Sequence, residues 1–191
     1  HLNYGQHLRL TTSLIDTTKA TPISGAQVEL LARHGGGSWS VVRTATTDSF
    51  GISRALVSPT RNTRYEWRFA GDATHGLTTS LVQTVTVRQV VTAHLTDHHV
   101  FRGGGVEIYG TVGPRAIGRV VYLQRWAHGR WHTVGVHGRI TRRVRPNGTH
   151  TTGYILSVTP QRTGHLHYRV YRPATSHNGA GSSGAVTVRV A

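Results

Sequence analysis

The sequence contains no cysteine and no methionine. The absence of cysteine excludes disulfides, thiolate metal sites and a cysteine nucleophile. Because no methionine opens the chain, we expect it to be a processed product or a fragment. There is also no apolar signal segment and no run of about 20 apolar residues. We therefore expect that any signal peptide has been removed and that the chain does not span a membrane.

Carboxylates are few and unevenly placed, with seven Asp and Glu against 22 Lys and Arg, which gives a formal net charge of +15. Residues 1–88 carry nine cationic side chains and five carboxylates, a net +4, whereas residues 89–191 carry 13 arginines and two carboxylates, a net +11. No side-chain carboxylate follows Glu107. Carboxylate catalysis and oxygen-ligated metal chemistry are thereby excluded from the last 84 positions.

Short segments rich in Val, Thr, Leu, Tyr and Arg alternate with turn residues along the whole chain. Period-two alternation of apolar and polar residues predicts β-strands, and no segment keeps a helical period with caps. In residues 65–69 the alternation places three aromatic rings on one face of a strand, which predicts that they lie in a core. The sequence therefore predicts an all-β chain, with strands that include 7–14, 26–33, 39–46, 52–57, 65–69 and 81–88.

The two halves of the chain repeat one another. The motif of Gly25, Val28 and Leu30 recurs 93 positions later in the sequence, which we call an offset of 93. Trp39 matches Trp131 at an offset of 92. At an offset of 101, Pro59 matches Pro160, residues 65–69 match 166–170, residues 73–74 match 174–175 and residues 85–88 match 186–189. The repeat predicts two sandwich domains, residues 1–88 and 89–191, each close to the usual domain size of about 100 residues.

The two copies differ in two places. The rise in offset from 92 to 101 indicates an insertion of nine residues in the second copy, within residues 136–150. In the second copy, residues 90–96 supply a strand before the turn at 97–105, whereas only three residues precede the corresponding turn at 4–6. The first domain is therefore expected to lack its first strand. It either exposes an open edge or completes it by β-augmentation with another polypeptide.

Several short motifs accompany the repeat, and together they resemble the tandem immunoglobulin-like domains of secreted and surface bacterial proteins of actinobacterial type. The resemblance implies Greek-key β-sandwiches, an extracellular or cell-surface location and no catalytic residues. The second copy departs from the pattern at Pro173, which replaces Asp72. The motifs of the first copy are Tyr4-Gly5-Gln6, Pro22-Ile23-Ser24-Gly25-Ala26-Gln27-Val28-Glu29-Leu30, Gly37-Ser38-Trp39, Thr47-Asp48-Ser49-Phe50-Gly51, Ser58-Pro59-Thr60 and Ala70-Gly71-Asp72-Ala73-Thr74.

The first functional hypothesis is a non-catalytic extracellular structural or spacer protein, with other extracellular proteins as partners. The alternative is a binding module for anionic cell-wall polymer, glycan or another polyanion through the basic second domain. A third interpretation treats the charge as a solvated surface without a ligand. An enzyme is not expected, because the chain offers few acids to orient a catalytic histidine. Nucleic acid is not the expected partner, because the resemblance implies an extracellular setting.

The polyanion hypothesis points to a cluster of arginines in the insertion, supported by a strand that carries two histidines and an arginine. Protonation of exposed histidines below about pH 6.5 would add charge there, so acid is expected to strengthen binding. The residues are Arg139, Arg142, Arg143 and Arg145 in the insertion, and His165, His167 and Arg169 on the strand.

Trp126 and Trp131 flank a turn and are candidates for stacking on a glycan, with burial in the core as the alternative. The 14 histidines raise the possibility of a metal site, most of all at His165 and His167, which share one strand face. Two imidazoles do not complete a zinc site, which needs three or four ligands. His98 with His99, and His132 with His137, likewise offer only two ligands each. No metal or other cofactor is expected.

Overall fold

The β-strand is the only regular secondary structure in the part of the chain that the computed structural model describes, residues 1–144 and 150–191. The side chains of residues 143, 144, 150 and 151 lie outside that description. The chain divides into a first unit, His1–Val87 with Ser176–Asn178, and a second unit, Arg88–Thr175 with Gly179–Ala191. Within the described ranges no helix is long and apolar enough to cross a membrane.

The first unit is built on two sheets. One has the strand order β10-β8-β5-β6, with β9 paired to β8, and the other consists of β2 and β7. Two further pairs, β1 with β11 and β3 with β4, complete it. The strands are β1 (Leu2–Asn3), β2 (Leu8–Ser13), β3 (Ile15–Asp16), β4 (Thr21–Pro22), β5 (Gln27–Arg33), β6 (Ser40–Thr46), β7 (Ile52–Val57), β8 (Thr63–Phe69), β9 (Thr78–Thr79), β10 (Gln83–Val85) and, at the boundary, β11 (Val87–Arg88).

The second unit has one sheet of order β12-β15-β19-β18, with β13 also paired to β15. Its other sheet, called the β16 sheet below, has the order β14-β22-β20-β16-β17, with β21 paired to β20. The strands are β12 (Val90–Val91), β13 (His94–Leu95), β14 (His99–Val100), β15 (Val106–Gly113), β16 (Val120–Ala127), β17 (Arg130–Arg139), β18 (Thr141–Val144), β19 (His150–Val158), β20 (Gly164–Arg172), β21 (Gly181–Ser182) and β22 (Val186–Val190).

This strand order is that of an immunoglobulin-like sandwich, in which strands A, B, E and D face strands C, F and G. In the second unit β15, β19 and β18 take the places of B, E and D, while β16, β20 and β22 take those of C, F and G. Among the described residues of the second unit, the strand pairs are antiparallel except β14 with β22, which is parallel. The predicted fold class, two tandem immunoglobulin-like β-sandwiches, is confirmed.

Each unit has its own hydrophobic core between its sheets. In the second unit Ile108 of one sheet and Leu123 of the other are both fully buried. Burying an aliphatic side chain of this size stabilises a domain by about 1.5–3 kcal/mol. In the first unit Tyr65, Trp67 and Phe69 all lie in the core, as the alternation in residues 65–69 predicts.

The sequence repeat overlays the last strands of the two units residue by residue, and the strand pairing corrects this overlay. Leu30 lies opposite Trp67, whereas Leu123, its counterpart in the repeat, lies opposite Val170. Trp67 therefore corresponds to Val170, and the predicted match of Trp67 with Tyr168 is wrong by two residues. A slip of two residues leaves every side chain on the same sheet face. Trp67 and Tyr168 are therefore both core residues, 5% and 2% exposed.

The corrected overlay places Arg172 where the first unit has Phe69. Both side chains are buried, at 5% and 6% exposure. The Nη1 atom of Arg172 has no hydrogen-bond partner in the described part of the chain. Burial, and then the nearby charge of Arg119, hold the pKa of Arg172 below its ordinary value. The second unit thus has a buried arginine at a position where the first unit has an aromatic ring.

Aspartates shape the turns of the first unit, because an Asp side chain readily accepts hydrogen bonds from backbone N–H groups just after it in the chain. The Asp48 carboxylate accepts hydrogen bonds from the backbone N–H groups of Phe50 and Ile52 and pairs with Arg54 at 3.1 Å. The Asp72 carboxylate likewise accepts from the N–H groups of the two residues at 74 and 75. The one lysine of the chain, Lys19, is also in this unit, with an exposed side chain 3.7 Å from Asp16.

A glycine and a tyrosine hold the first strand of the second unit in place. Gly110 lies opposite Tyr154, and the hydroxyl of Tyr154 donates to the backbone carbonyl of Thr92, between β12 and β13. Burial raises the pKa of the Tyr154 hydroxyl above its ordinary value. A side chain at position 110 would overlap the same Thr92 carbonyl oxygen. Only glycine leaves room for the tyrosine to reach the neighbouring strand.

We predict that Gly110→Ala lowers the free energy of unfolding of the second unit by about 1–3 kcal/mol, the usual cost of overpacking a filled site. Urea unfolding followed by circular dichroism measures the change. Gly135→Ala is the matched control, because a Cβ on that strand glycine meets no atom within 4 Å. Equal stability of the two variants would contradict the prediction.

We also predict that the first unit loses stability in acid. Hydrogen bonds from the Ile52 N–H, and then from Arg54, hold the pKa of Asp48 below its ordinary value. A depressed pKa means that the ionised carboxylate stabilises the folded state above about pH 4, and that this stability disappears as the pH falls through the folded-state pKa. Asp48→Asn should therefore lower the unfolding temperature at pH 7 and have a smaller effect at pH 2. A pH-independent difference would contradict this assignment.

Candidate functional site

The outer face of the β16 sheet brings aromatic and cationic side chains together. Successive residues of a strand point to opposite faces, so the residues that alternate with the buried Val121 and Leu123 face outward. The same holds for residues that alternate with Tyr168 and Val170. We call this surface the binding face. It consists of Tyr122, Gln124 and Trp126 on β16, Trp131, Thr133, His137 and Arg139 on β17, His165, His167, Arg169 and Tyr171 on β20, and Thr187 and Arg189 on β22.

The centre of the binding face is a stack of Arg169 on Trp131. Strand register places Trp126 opposite Trp131 and Gln124 opposite Arg169. The Arg169 guanidinium lies over the Trp131 ring, 4.6 Å from its centroid. The two indole rings meet edge to face, with centroids 5.3 Å apart and planes at 63°. Trp126 is 43% exposed, so one tryptophan supports the arginine while the other remains open to solvent.

Gln124 fixes the orientation of Arg169. The Nε of Arg169 donates to Oε1 of Gln124 at 2.8 Å, and the amide of Gln124 donates in turn to the Thr133 hydroxyl at 3.2 Å. No carboxylate pairs with Arg169 among the described residues. Burial lowers the pKa of Arg169 from its ordinary value, yet arginine remains cationic in proteins. The charge is held by neutral partners, which leaves it available to an anion.

Further cations extend along the same face. His165 lies opposite Arg189, and both are exposed. His167 contacts the Thr187 hydroxyl at 2.9 Å. On the other side, His137 packs near Tyr122, with ring centroids 6.3 Å apart, and the Nη1 of Arg139 donates to the Gly118 carbonyl at 3.2 Å. The binding face contains no acidic residue.

The structure separates the arginines of the insertion. The insertion adds β18, which pairs with β19 in the sheet that does not contain the binding face. Arg139 ends β17 on the binding face, whereas Arg142 is exposed on β18. The side chain of Arg143 and the whole of Arg145 lie outside the described residues. Of the two insertion arginines whose side chains are described, Arg139 shares a face with His165, His167 and Arg169, and Arg142 does not.

Sequence reasoning named both tryptophans and Arg169 as separate candidates but did not connect them. It missed Gln124, Tyr122 and Tyr171 altogether. Alternation along β16 would have placed Gln124 on the same face as Trp126, because the two residues are two positions apart in the sequence. The pairing of β16 with β20 rather than with another strand is a long-range contact, and no local pattern in the sequence specifies it.

The histidines whose side chains are described do not gather into a metal site. In the described ranges no three His, Asp or Glu side chains are placed to hold an ion. His128 and His132 contact each other across the turn at a centroid distance of 6.4 Å, and no third ligand accompanies them there.

No family model matches the sequence, and no curated protein matches it. Solved structures give weak likenesses. The crystal structure of invasin, a bacterial integrin-binding protein, is 15% identical with a TM-score of 0.40, over 98% of this chain and 36% of that one. The D0-D1 domain of intimin is 10% identical with a TM-score of 0.34, over 97% and 91%.

A third likeness is a C-terminal 282-residue fragment of intimin in complex with the intimin-binding domain of the translocated intimin receptor. It is 10% identical, with a TM-score of 0.40, over 99% of this chain and 61% of that one. The chain thus spans about a third of the invasin structure and less than two thirds of this intimin fragment. These likenesses are too weak to add to the fold, which the strand order above defines by itself.

Proposed function

We propose that the second unit is a non-catalytic, extracellular binding module whose binding face holds an acidic polysaccharide. The observation that carries this proposal is the cation of Arg169, stacked on Trp131 beside the exposed ring of Trp126. A sugar ring offers an apolar face to an exposed indole. A carboxylate on the same sugar accepts the paired N–H groups of a guanidinium.

The electrostatics support an anionic ligand over a neutral one. The second half of the chain has a net charge of +11, and the binding face carries three arginines and no acid. Electrostatic attraction of this kind draws polyanions to the surface and weakens as salt rises. A neutral glycan would gain no charge attraction from Arg139 and Arg189 at the two ends of the face.

The first unit fits the structural or spacer role that the sequence favoured for the chain. Its net charge is +3, from eight Lys and Arg and five Asp and Glu, and its three core aromatic rings point inward. Under this proposal the two immunoglobulin-like units divide the work, one as support and one as the glycan-binding part. Extracellular location is part of the proposal and rests on the resemblance to secreted and surface bacterial proteins.

We predict that Arg169→Gln and Trp126→Ala each weaken binding of a uronate polymer, such as polygalacturonate or alginate, by about tenfold or more. A hydrogen bond to a charged group is worth about 1.5–3 kcal/mol, and 1.4 kcal/mol is a tenfold change in affinity. Isothermal titration calorimetry of the whole chain at 50 and 300 mM NaCl gives both the affinity and its salt dependence.

Two matched variants of the same unit serve as controls. Tyr109→Ala removes an aromatic ring that is 39% exposed and lies on β15, in the sheet without the binding face. Arg142→Gln removes an exposed arginine of that same sheet. Both should bind the polymer like the parent chain. If Arg142→Gln weakens binding as much as Arg169→Gln, the affinity comes from general charge. If single-stranded DNA binds more tightly than every uronate polymer, the ligand class is wrong.

We also predict that polymer binding strengthens between pH 7.5 and pH 5.5. Histidine gains a positive charge over this range, whereas sugar carboxylates, like protein carboxylates, remain ionised. His137, His165 and His167 face the ligand, beside the permanent charges of Arg139, Arg169 and Arg189. Changing His165 and His167 together to Gln should remove most of the pH dependence and leave affinity at pH 7.5 nearly unchanged. A pH-independent parent chain would contradict this prediction.

A further inference from the structure

The first unit repeats the stack of an arginine on a tryptophan that lies at the centre of the binding face. The guanidinium of Arg33 lies over the Trp39 ring, 4.7 Å from its centroid. Trp39 is the residue that matches Trp131 in the sequence repeat. Arg33 and Trp39 are both half-buried. The same tryptophan position therefore carries an arginine in both units.

The stacked arginine comes from a different strand in each unit. Arg169 belongs to β20, whereas Arg33 belongs to β5, the counterpart of β16. By the overlay of Leu30 on Leu123, Arg33 takes the place of Trp126. Inheritance of equivalent residues therefore does not explain the repeated stack. The feature that the two units share is a cation resting on this tryptophan, whichever strand supplies it.

A second arginine lies beside the stack in the first unit. Strand register places Arg64 of β8 directly opposite Arg33 of β5. Each is next in sequence to a core residue, Ala32 or Tyr65, so both arginines point to the outer face of their sheet. Like charges directly opposite each other destabilise a sheet. The first unit thus keeps an unfavourable pair of positive charges at the stack.

No group in the described part of the chain neutralises this pair. No carboxylate there lies within ion-pair distance of Arg33 or Arg64. The Nε atom of Arg33 is buried without a hydrogen-bond partner among the described residues. By contrast, Arg68 of the same face is paired with Glu29 at 2.6 Å. Arg33 and Arg64 are therefore available to an external anion, whereas Arg68 is not.

An acidic residue limits the cationic area on one side. Glu66 lies two positions after Arg64 on β8 and opposite Leu31, so its side chain points to the same outer face. It forms no ion pair within the described residues. A ligand with several closely spaced charges would meet this carboxylate and be repelled. The area therefore suits a single anionic group.

We propose that Arg33, Arg64 and Trp39 form a second anion site, called the Trp39 site, which binds one carboxylate-bearing sugar of the polymer that the binding face holds. The two guanidiniums share the sugar carboxylate through paired N–H groups. The exposed part of the Trp39 ring lies against the apolar face of the sugar. A carboxylate between the arginines also offsets their mutual repulsion. This inference rests on the proposed function and adds to it a contact made by the supporting unit.

The indole N–H signals of the intact chain in an NMR spectrum test the two sites separately, because the chain contains only four tryptophans. The probe is the trimer of galacturonic acid at pH 7.5, where its carboxylates are ionised. The signals of Trp39 and Trp126 should both shift during the titration, each giving its own Kd. The signal of Trp67 should stay in place, because this ring is 5% exposed in the core.

Arg64→Gln should raise the Kd measured at Trp39 about tenfold or more, the loss of one hydrogen bond to a charged group. The Kd measured at Trp126 should not change. The variant should unfold at the same temperature as the parent chain or at a higher one, because it removes the repulsion with Arg33. An arginine with a purely structural role would instead lower the unfolding temperature and leave the Kd unchanged.

Two further variants of the first unit complete the test. Glu66→Gln removes the nearby acid and should lower the Kd measured at Trp39 about twofold or more, since a repulsion is lost. Arg9→Gln is the matched control. It removes an exposed arginine of β2, in the sheet that does not contain the Trp39 site, and should leave both Kd values unchanged.

The possible results distinguish the Trp39 site from the binding face. If the Trp126 signal shifts and the Trp39 signal does not, the Trp39 site is wrong and the proposed function stands. If Trp39 alone shifts, the Trp39 site stands and the binding face is wrong. If neither shifts at millimolar trimer, both are overturned. A folded Arg64→Gln chain with the parent's Kd at Trp39 also overturns the Trp39 site.

Discussion

Strand β16 serves two environments at once, because successive side chains of a strand point to opposite faces. Val121 and Leu123 point into the core and are fully buried, while Gln124 and Trp126 point outward. β16 is also bonded on both sides, to β17 and to β20. Its register therefore sets the packing of the core and the geometry of the binding face together. A shift of β16 by one residue would exchange the two faces and destroy both.

The binding face depends on how Arg169 is held. Arg169 is half-buried, and an arginine removed from water is commonly paired with a carboxylate, which neutralises its charge. Here the Nε atom is bonded to a neutral amide, and the plane of the guanidinium rests on an indole ring. Cation–π contact is worth about 0.5–2 kcal/mol, depending on exposure, which offsets part of the cost of removing the guanidinium from water. The positive charge of Arg169 is therefore available to a ligand. No side-chain carboxylate follows Glu107 in the sequence to neutralise it.

The sequence predicted the local features of the fold well. The strands predicted at 7–14, 26–33 and 52–57 are present with small changes of their ends, because their alternation is strong and glycine or proline marks their limits. It predicted the tandem sandwiches because the repeat recurs in register over most of the chain. The overlay of β8 on β20 was wrong by two residues, since period-two alternation cannot distinguish positions that lie on the same face.

The binding face was less predictable than the strands, because it depends on which strands pair over long distances in the sequence. Trp126 and Trp131 are joined by a short turn, so their proximity could be anticipated from the sequence. Arg169 reaches them only through the pairing of β16 with β20, across more than 40 positions of the chain. The arginines of the insertion are close in sequence, yet Arg139 and Arg142 lie in different sheets. Local clustering of like charges is therefore a poor guide to a shared surface in a sandwich, where adjacent strands often belong to opposite layers.

Of the 22 Lys and Arg side chains, 21 are arginine. This composition decides how the molecule can be attached to a surface. Lys19 is the one lysine of the sequence, its side chain is exposed, and it belongs to the first unit. Amine-reactive reagents therefore couple the chain to a bead, a sensor chip or a dye through the first unit alone. The second unit, with 14 arginines and no lysine, keeps its whole surface chemically untouched.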